Sequence, residues 1–230
     1  MKCAAIITAR GGSKRIPKKN IKDFCGKPIL AYSIEAAISS GLFEEVMVST
    51  DSEEIASIAK RYGAKVPFIR SERTSDDFAT TFDVLEEVVN KYSEDKIEFD
   101  TICCIYPTAP FVTPRKLREA MKLFMEKDAS CVIPVVKYSF PPQRAFIMSN
   151  ERILFQYPEY AKARSQDLEP IYHDCGQFYI LKTEDMMKYR TIVPPNTYPF
   201  LMLEEEVQDI DNLSDWEIAE AKYKRLHIAD

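Results

Sequence analysis

The sequence predicts a doubly wound α/β fold built on a mostly parallel sheet. Two observations carry that expectation. Continuously apolar runs of strand length alternate with stretches of helical periodicity through the first 136 residues. These runs lack the two-residue alternation of a half-exposed strand, so helices must cover both faces of the sheet. At 230 residues the chain is long enough for one such domain with a full core.

The elements follow in order. Cys3 to Thr8 reads as the first strand. Leu30, Ile34, Ala37 and Ile38 repeat at helical spacing behind Pro28, and Gly41 stops them. Val46 to Ser49 is a second strand, and Ile55, Ile58, Ala59 and Tyr62 mark a helix closed by Gly63. Val84, Leu85, Val88, Val89 and Tyr92 make the next helix. Thr101 to Ile105 is a buried strand, Pro114 to Lys127 a helix, and Cys131 to Val136 a strand.

Between Lys137 and Cys175 the rhythm breaks. This Pro-, Tyr-, Arg- and Gln-containing stretch has weak β character and reads as an excursion from the sheet. Strand pattern returns at Gln177 to Leu181 and at Val207 to Ile210, before a last helix with Trp216, Ala219, Tyr223 and Leu226 on one face. The expected organisation is one domain over 1–230, with 137–175 as a dimerisation and acceptor-site excursion.

Composition excludes several classes. A net charge of -5 argues against non-specific binding to nucleic acid or an anionic membrane. The apolar N-terminal run is too short for a signal sequence or a spanning helix, so a soluble, cytoplasmic protein is expected. Six cysteines without C-x-x-C spacing are expected to be reduced and buried, and two histidines cannot build a histidine-rich zinc site.

The chemistry begins where the first strand ends. Ala9 to Asn20 holds five cations (Arg10, Lys14, Arg15, Lys18, Lys19) and no acid, in a chain that is acidic overall. Adjacent glycines Gly11 and Gly12 let backbone N–H groups approach an anion, and fixed cations neutralise a polyphosphate. The Walker pattern and G-x-G-x-x-G are both absent, so a kinase P-loop and a dinucleotide site are disfavoured. A phosphate loop of a third kind points to nucleotidyl transfer.

Ala9-Arg10-Gly11-Gly12-Ser13-Lys14, with Ile16-Pro17 and Lys19-Asn20, resembles the signature loop of the acylneuraminate cytidylyltransferases. The resemblance continues through Gly26-Lys27-Pro28, Ser49-Thr50-Asp51, Tyr106-Pro107-Thr108-Ala109-Pro110 and Asp209-Ile210-Asp211. It implies a nucleotide-diphospho-sugar transferase-like fold, CTP and a nonulosonic acid as substrates, Mg²⁺ as cofactor and a homodimer. It also implies roles by position. Arg10, Gly12, Ser13, Lys14, Lys19 and Asn20 would surround the triphosphate, with Arg10 and Lys19 catalytic. Arg70 and the Ala79-Thr80 segment would face the cytosine, and Asp209 and Asp211 would hold the metal. Arg164, Gln166 and His173 would lie toward the sugar.

The residues support parts of this independently. Asp209 and Asp211, one residue apart at an expected strand end, would point to the same side and offer hard oxygen ligands. The competing reading makes Asp211 the cap of the last helix. An arginine is expected near the sugar carboxylate, and Arg164 is the best candidate, with Lys137 and Arg144 behind it. His173 beside Asp174 is not read as a catalytic pair, since neighbours on a strand point opposite ways.

The acceptor half departs from the sialic-acid members, which usually have glutamine at Tyr106 and Asn-Gly at Cys175-Gly176. Thr80 to Asp83 and Arg164 to Pro170 are instead similar to the pseudaminic acid branch. Alternative acceptors are N-acetylneuraminic, legionaminic and 3-deoxy-manno-octulosonic acids. The non-enzymatic alternative, a nucleotide-sensing module, would not need both the loop cations and the aspartate pair.

Overall fold

A computed structural model describes residues 1–227. The elements are β1 (Cys3–Thr8), β2 (Asp23–Phe24), β3 (Lys27–Pro28), α1 (Ile29–Ser40), β4 (Glu45–Ser49), α2 (Glu53–Arg61), α3 (Thr81–Glu94), β5 (Thr101–Ile105) and α4 (Pro114–Glu126). They continue with β6 (Cys131–Lys137), β7 (Phe146–Ser149), β8 (Arg152–Phe155), β9 (Tyr172–Asp174), β10 (Phe178–Lys182), α5 (Thr183–Tyr189), β11 (Thr197–Leu201) and α6 (Leu213–His227). The main sheet runs β11-β6-β10-β5-β1-β4, with β9 also paired to β6. β1, β4, β5, β6 and β11 point one way, whereas β9 and β10 run against them.

Continuous apolar strands are explained by the two cores. Alternate residues of a strand face opposite sides. Ile7, Cys103, Ile105 and Ile180 pack with Leu30 and Ile34 of α1 and with Leu117, Met121 and Phe124 of α4. Ile6, Ile102, Cys104 and Tyr179 pack with Phe82, Leu85 and Val88 of α3 and with Met186 of α5. A third cluster docks α6 through Trp216 and Ala219 onto Phe24, Ile29, Tyr32 and Phe111. Among the described residues no helix is long and apolar enough to cross a membrane. All six cysteines are free and five are buried, Cys25 being half-buried. Burial pushes the Cys3 and Cys104 thiols up to about 12, so both stay protonated.

The helix ends were chemically legible. Gly41 stops α1 with φ 68°, a conformation favouring glycine. Thr80 and Asp83 form a capping box on α3, and Thr113 caps α4 ahead of Pro114. On α3 the buried Glu87 accepts the Ser71 N–H at 2.9 Å, the Ser71 hydroxyl at 2.7 Å and the Thr74 hydroxyl. Glu87 thereby fixes the turn that follows Arg70. Burial alone would raise its carboxyl, but the hydrogen bonds from Thr74 and Ser71 outweigh this and hold it below the usual range.

Glu87→Ala is expected to cost about 2–4 kcal/mol, because it removes three hydrogen bonds, one of them from the buried Thr74 hydroxyl, and chemical denaturation measures the loss. The ionised Glu87 contribution should be complete above the unfolded carboxylate value. It should be lost as pH falls through the lower folded one.

The structure corrects one feature of the sequence reading and decides two that it left open. Val207 to Ile210 is not a strand. The sheet edge beside β6 is taken by β11, whose central Pro199 masks it in the sequence and is tolerated because β11 has only one neighbour. The 207–210 backbone is instead tied by side chains: Lys222 Nζ donates to Val207 O at 2.7 Å and Lys19 Nζ to Ile210 O at 2.6 Å. Next, β10 is antiparallel. The excursion contains no crossover helix, so the chain re-enters the sheet from the end at which β6 left it. Finally, Asp211 does not cap α6. Asn212 Oδ1 accepts the Asp215 N–H at 3.1 Å and Asp215 Oδ2 accepts the Asn212 N–H at 3.0 Å, a reciprocal box that leaves the Asp211 carboxylate outside the cap.

Candidate active site

β1 lies between β4 and β5, so the chain turns opposite ways from its carboxyl end. Ligands of open α/β sheets bind at such a switch point. A cleft of about 580 Å³ opens there, within the size range of small-molecule sites. The loop after β1 lines one wall, the 74–81 segment another, and Tyr106, Pro107 and Thr108 the floor.

The loop is held internally. Gly11 N–H donates to Asp51 Oδ1 at 2.7 Å, and a Cβ at Gly11 would meet Ser52 Cβ at 3.1 Å. Gly11 is therefore closely packed, and its N–H is already taken by Asp51. Gly12 has open space where a Cβ would stand. Asn20, 5% exposed, donates its amide to Arg10 O at 2.8 Å and thereby shapes the loop as well as lining the cleft. Ile16 anchors the loop in the α6 core.

Each loop cation meets a partner. Arg10 donates to Asp77 Oδ1 at 2.8 Å and to Asp76 O at 2.9 Å, and Lys14 also pairs with Asp77. Hydrogen bonds from Lys14 and then Arg10 hold the Asp77 carboxyl below the usual range. Arg15 meets Asp211 Oδ1 at 2.7 Å, and Lys18 meets Glu54 outside the cleft. These contacts are exposed and individually weak, so a polyphosphate can exchange for them. Ser13 lines the same wall.

Across the cleft, Arg70 is buried, donating from Nε to Ser49 Oγ at 3.0 Å and from an amino group to Ser49 O at 2.5 Å. Burial pushes it down to about 10, which leaves it charged at neutral pH. Ala79 and Thr80 line the cleft, but their N–H groups are already engaged by Asp76 and Asp83. The Thr80 carbonyl in turn accepts the Val84 N–H at 3.3 Å, which leaves the Ala79 carbonyl as the acceptor that would suit an exocyclic amine donor.

Ile210 is buried between exposed Asp209 and half-buried Asp211. The expected strand geometry is absent, yet Lys19 still links the segment to the loop through Ile210 O. Partial burial lowers the Lys19 ammonium, opposed by the charges of Asp211 and Asp209. Partial desolvation and then the Asp211 charge push the Asp209 carboxyl up. Asp211 lines the cleft and Asp209 stands just outside its walls.

Within one chain the sugar candidates are not in this cleft. Arg164 pairs with Asp167 at 2.7 Å in the exposed excursion, and Gln166 shares that turn. His173 lies on β9 against Tyr138, ring centroids 4.5 Å apart. Lys137 ends β6, and Arg144 lies beside Ser165. Sequence reading missed Asp76 and Asp77 facing the cations, and Tyr179 beside Tyr106 at 5.6 Å between centroids. Adjacent acids just before Ala79-Thr80 were the available signal, but pairing over a separation of 67 residues is visible only in the fold.

A cytidylyltransferase family model matches residues 4–209. The chain is 40% identical over 228 residues to a pseudaminic acid cytidylyltransferase of Campylobacter jejuni, covering 99% of this chain and 98% of that one. It is 34% identical to the CMP-N,N'-diacetyllegionaminic acid synthase of Legionella pneumophila, covering 96% and 95%. A solved CMP:2-keto-3-deoxy-manno-octonic acid synthetase complexed with CTP superposes with TM-score 0.71 at 19% identity, over 98% of this chain and all of that one, which shows the shared fold. With the sheet topology, the cationic loop at its switch point and a family match spanning both, this chain belongs to the cytidylyltransferase family and is a nucleotidyltransferase.

Proposed function

We propose that the chain transfers CMP from CTP to the anomeric hydroxyl of pseudaminic acid, releasing pyrophosphate. The observation that carries this reading is the cleft itself, where Arg10, Lys14, Arg15 and Lys19 of one loop face Arg70 and Asp211 at the switch point. Arg10 and Lys14 exchange Asp77 for phosphate oxygens and spread the charge that develops in transfer. Arg70 and the Ala79 carbonyl select the cytosine. Supporting pseudaminic acid are the near full-length similarity to enzymes bearing that name and the tyrosine at 106. Under saturating acceptor, CTP should be turned over at least tenfold faster than ATP, GTP or UTP, about 1.4 kcal/mol of discrimination. Equal rates measured by pyrophosphate release would overturn the cytidylyl assignment.

Mg²⁺ fits the donors present. Asp209 and Asp211 offer two hard carboxylates whose mutual repulsion a divalent cation relieves. No cluster of three or more His, Cys, Asp or Glu ligands occurs among the described residues, so phosphate oxygens and waters would complete the shell. The bound ion would polarise the α-phosphate as a Lewis acid. A cytoplasmic location accords with dependence on CTP.

The excursion supports a homodimer. Phe140 is 85%, Met148 82% and Ile153 65% exposed, and the β7-β8 hairpin stands apart from the main sheet. Adjoining apolar surface of this kind marks an interface, and the same contact would bring Arg164, Gln166 and His173 toward a neighbouring cleft. Light scattering at micromolar concentration should give twice the 26.5 kDa chain mass, and Met148→Asp should shift it toward the single-chain value. A wild-type chain at 26.5 kDa would refute the dimer.

A further inference from the structure

We propose that Asp174 is a positioning residue for the acceptor-side wall of the cleft, acting through Tyr106; this rests on the reading above. Asp174 ends β9, the strand that returns the excursion to the sheet. Its Oδ1 accepts the Gly176 N–H at 2.8 Å, and its Oδ2 accepts the Tyr179 hydroxyl. Those two groups both neighbour the Tyr106 ring.

Gly176 has φ +59°, and a Cβ there would stand 3.8 Å from two Tyr106 ring carbons, so the turn lies against the ring. The Tyr179 ring, 1% exposed, lies 5.6 Å from Tyr106 between centroids, tilted by 59°. The Tyr106 N–H donates to Gln177 O at 2.8 Å, and its hydroxyl meets Thr81 Oγ1 at 2.9 Å. One carboxylate thus staples turn and ring around the only tyrosine lining the cleft among the described residues.

The position makes this wall the acceptor's. Tyr106 follows β5 on the flank toward β10, whereas Arg70 stands at the carboxyl end of β4, beyond β1. A nucleotide spanning Arg70 and the loop leaves the Tyr106 flank to the sugar acid. Burial pushes both phenols up, so each remains a neutral hydroxyl, and that of Tyr106, which lines the cleft, can contact polar substituents.

Asp174→Ala should raise the acceptor KM about tenfold and leave the CTP KM within about twofold, a split that generalised damage would not produce. Asp174→Asn keeps an oxygen for the Gly176 N–H and should recover most of the loss. A crystal structure of Asp174→Ala should show the Tyr106 hydroxyl displaced from Thr81 Oγ1. An unchanged acceptor KM, an equal rise for CTP, or Tyr106 undisturbed in that structure would overturn the proposal.

If Asp174→Ala fails to fold, Tyr179→Phe removes one of the two bonds and keeps the ring. It should raise the acceptor KM about threefold, with no further effect in a Tyr106→Phe background; an additive effect would overturn the coupling. A wild-type protein that transfers CMP to no sugar acid would refute the proposed function instead, and the crystal structure would then decide the positioning role alone.

Discussion

Asp209→Asn and Asp211→Asn should each lower kcat by on the order of 10²-fold or more while leaving the fold intact. Each change removes one anionic ligand and keeps side-chain size. If the pair holds Mg²⁺ against the triphosphate, the loss falls on the transition state, where phosphoryl charge is greatest. The structure removes the main competing role, because Asn212 and Asp215 cap α6 without the Asp211 carboxylate. Asp211 also pairs with Arg15, but that contact is open to solvent and contributes little to stability. Desolvation and then the Asp211 charge already disfavour the ionised Asp209 carboxyl, so neutralising it should not destabilise the protein. Near-normal Mg²⁺-dependent turnover in both variants, at unchanged thermal transitions, would refute the metal assignment.

Lys19→Met should reduce kcat/KM by about 10²–10³-fold, the scale of losing one preorganised electrostatic contact in a site of this type. Methionine preserves most of the buried stem and removes the ammonium. That ammonium joins the loop to the aspartate segment through Ile210 O at 2.6 Å and carries charge between the carboxylates and the cleft. Losing the hydrogen bond alone would cost roughly 1 kcal/mol of stability. Steady-state kinetics beside thermal unfolding separates the two effects. A variant with full activity would show that Lys19 is a structural strut.

The parallel core was legible because covered strands are continuously apolar: β1 and β5 have the bounds their sequence implies. The signature loop was legible because five cations after a buried strand have few structural uses. Other features depended on competition between distant segments. Val207 to Ile210 has strand composition, but β11 already fills the available edge despite Pro199. Asp211 stands where a cap could be, but Asn212 is one residue closer to Leu213 and closes the box with Asp215. Both loop glycines read as freeing backbone N–H groups for an anion, yet Gly11 is packed on Ser52 and Gly12 is open. Asp174 was not read as a partner for His173, and its carboxylate turns instead toward Tyr179 and Gly176. In each case the residue type suggested a capacity, and only the fold decided which neighbour used it.

The most direct test supplies purified protein with CTP, Mg²⁺ and, separately, pseudaminic, legionaminic, N-acetylneuraminic and 3-deoxy-manno-octulosonic acids, and follows pyrophosphate and CMP-sugar by mass spectrometry. The account predicts pyrophosphate and CMP-pseudaminic acid in equal amounts, with the highest kcat/KM for that acceptor. A higher kcat/KM for N-acetylneuraminic acid would contradict the acceptor assignment, and the absence of any CMP-sugar would contradict the proposed reaction.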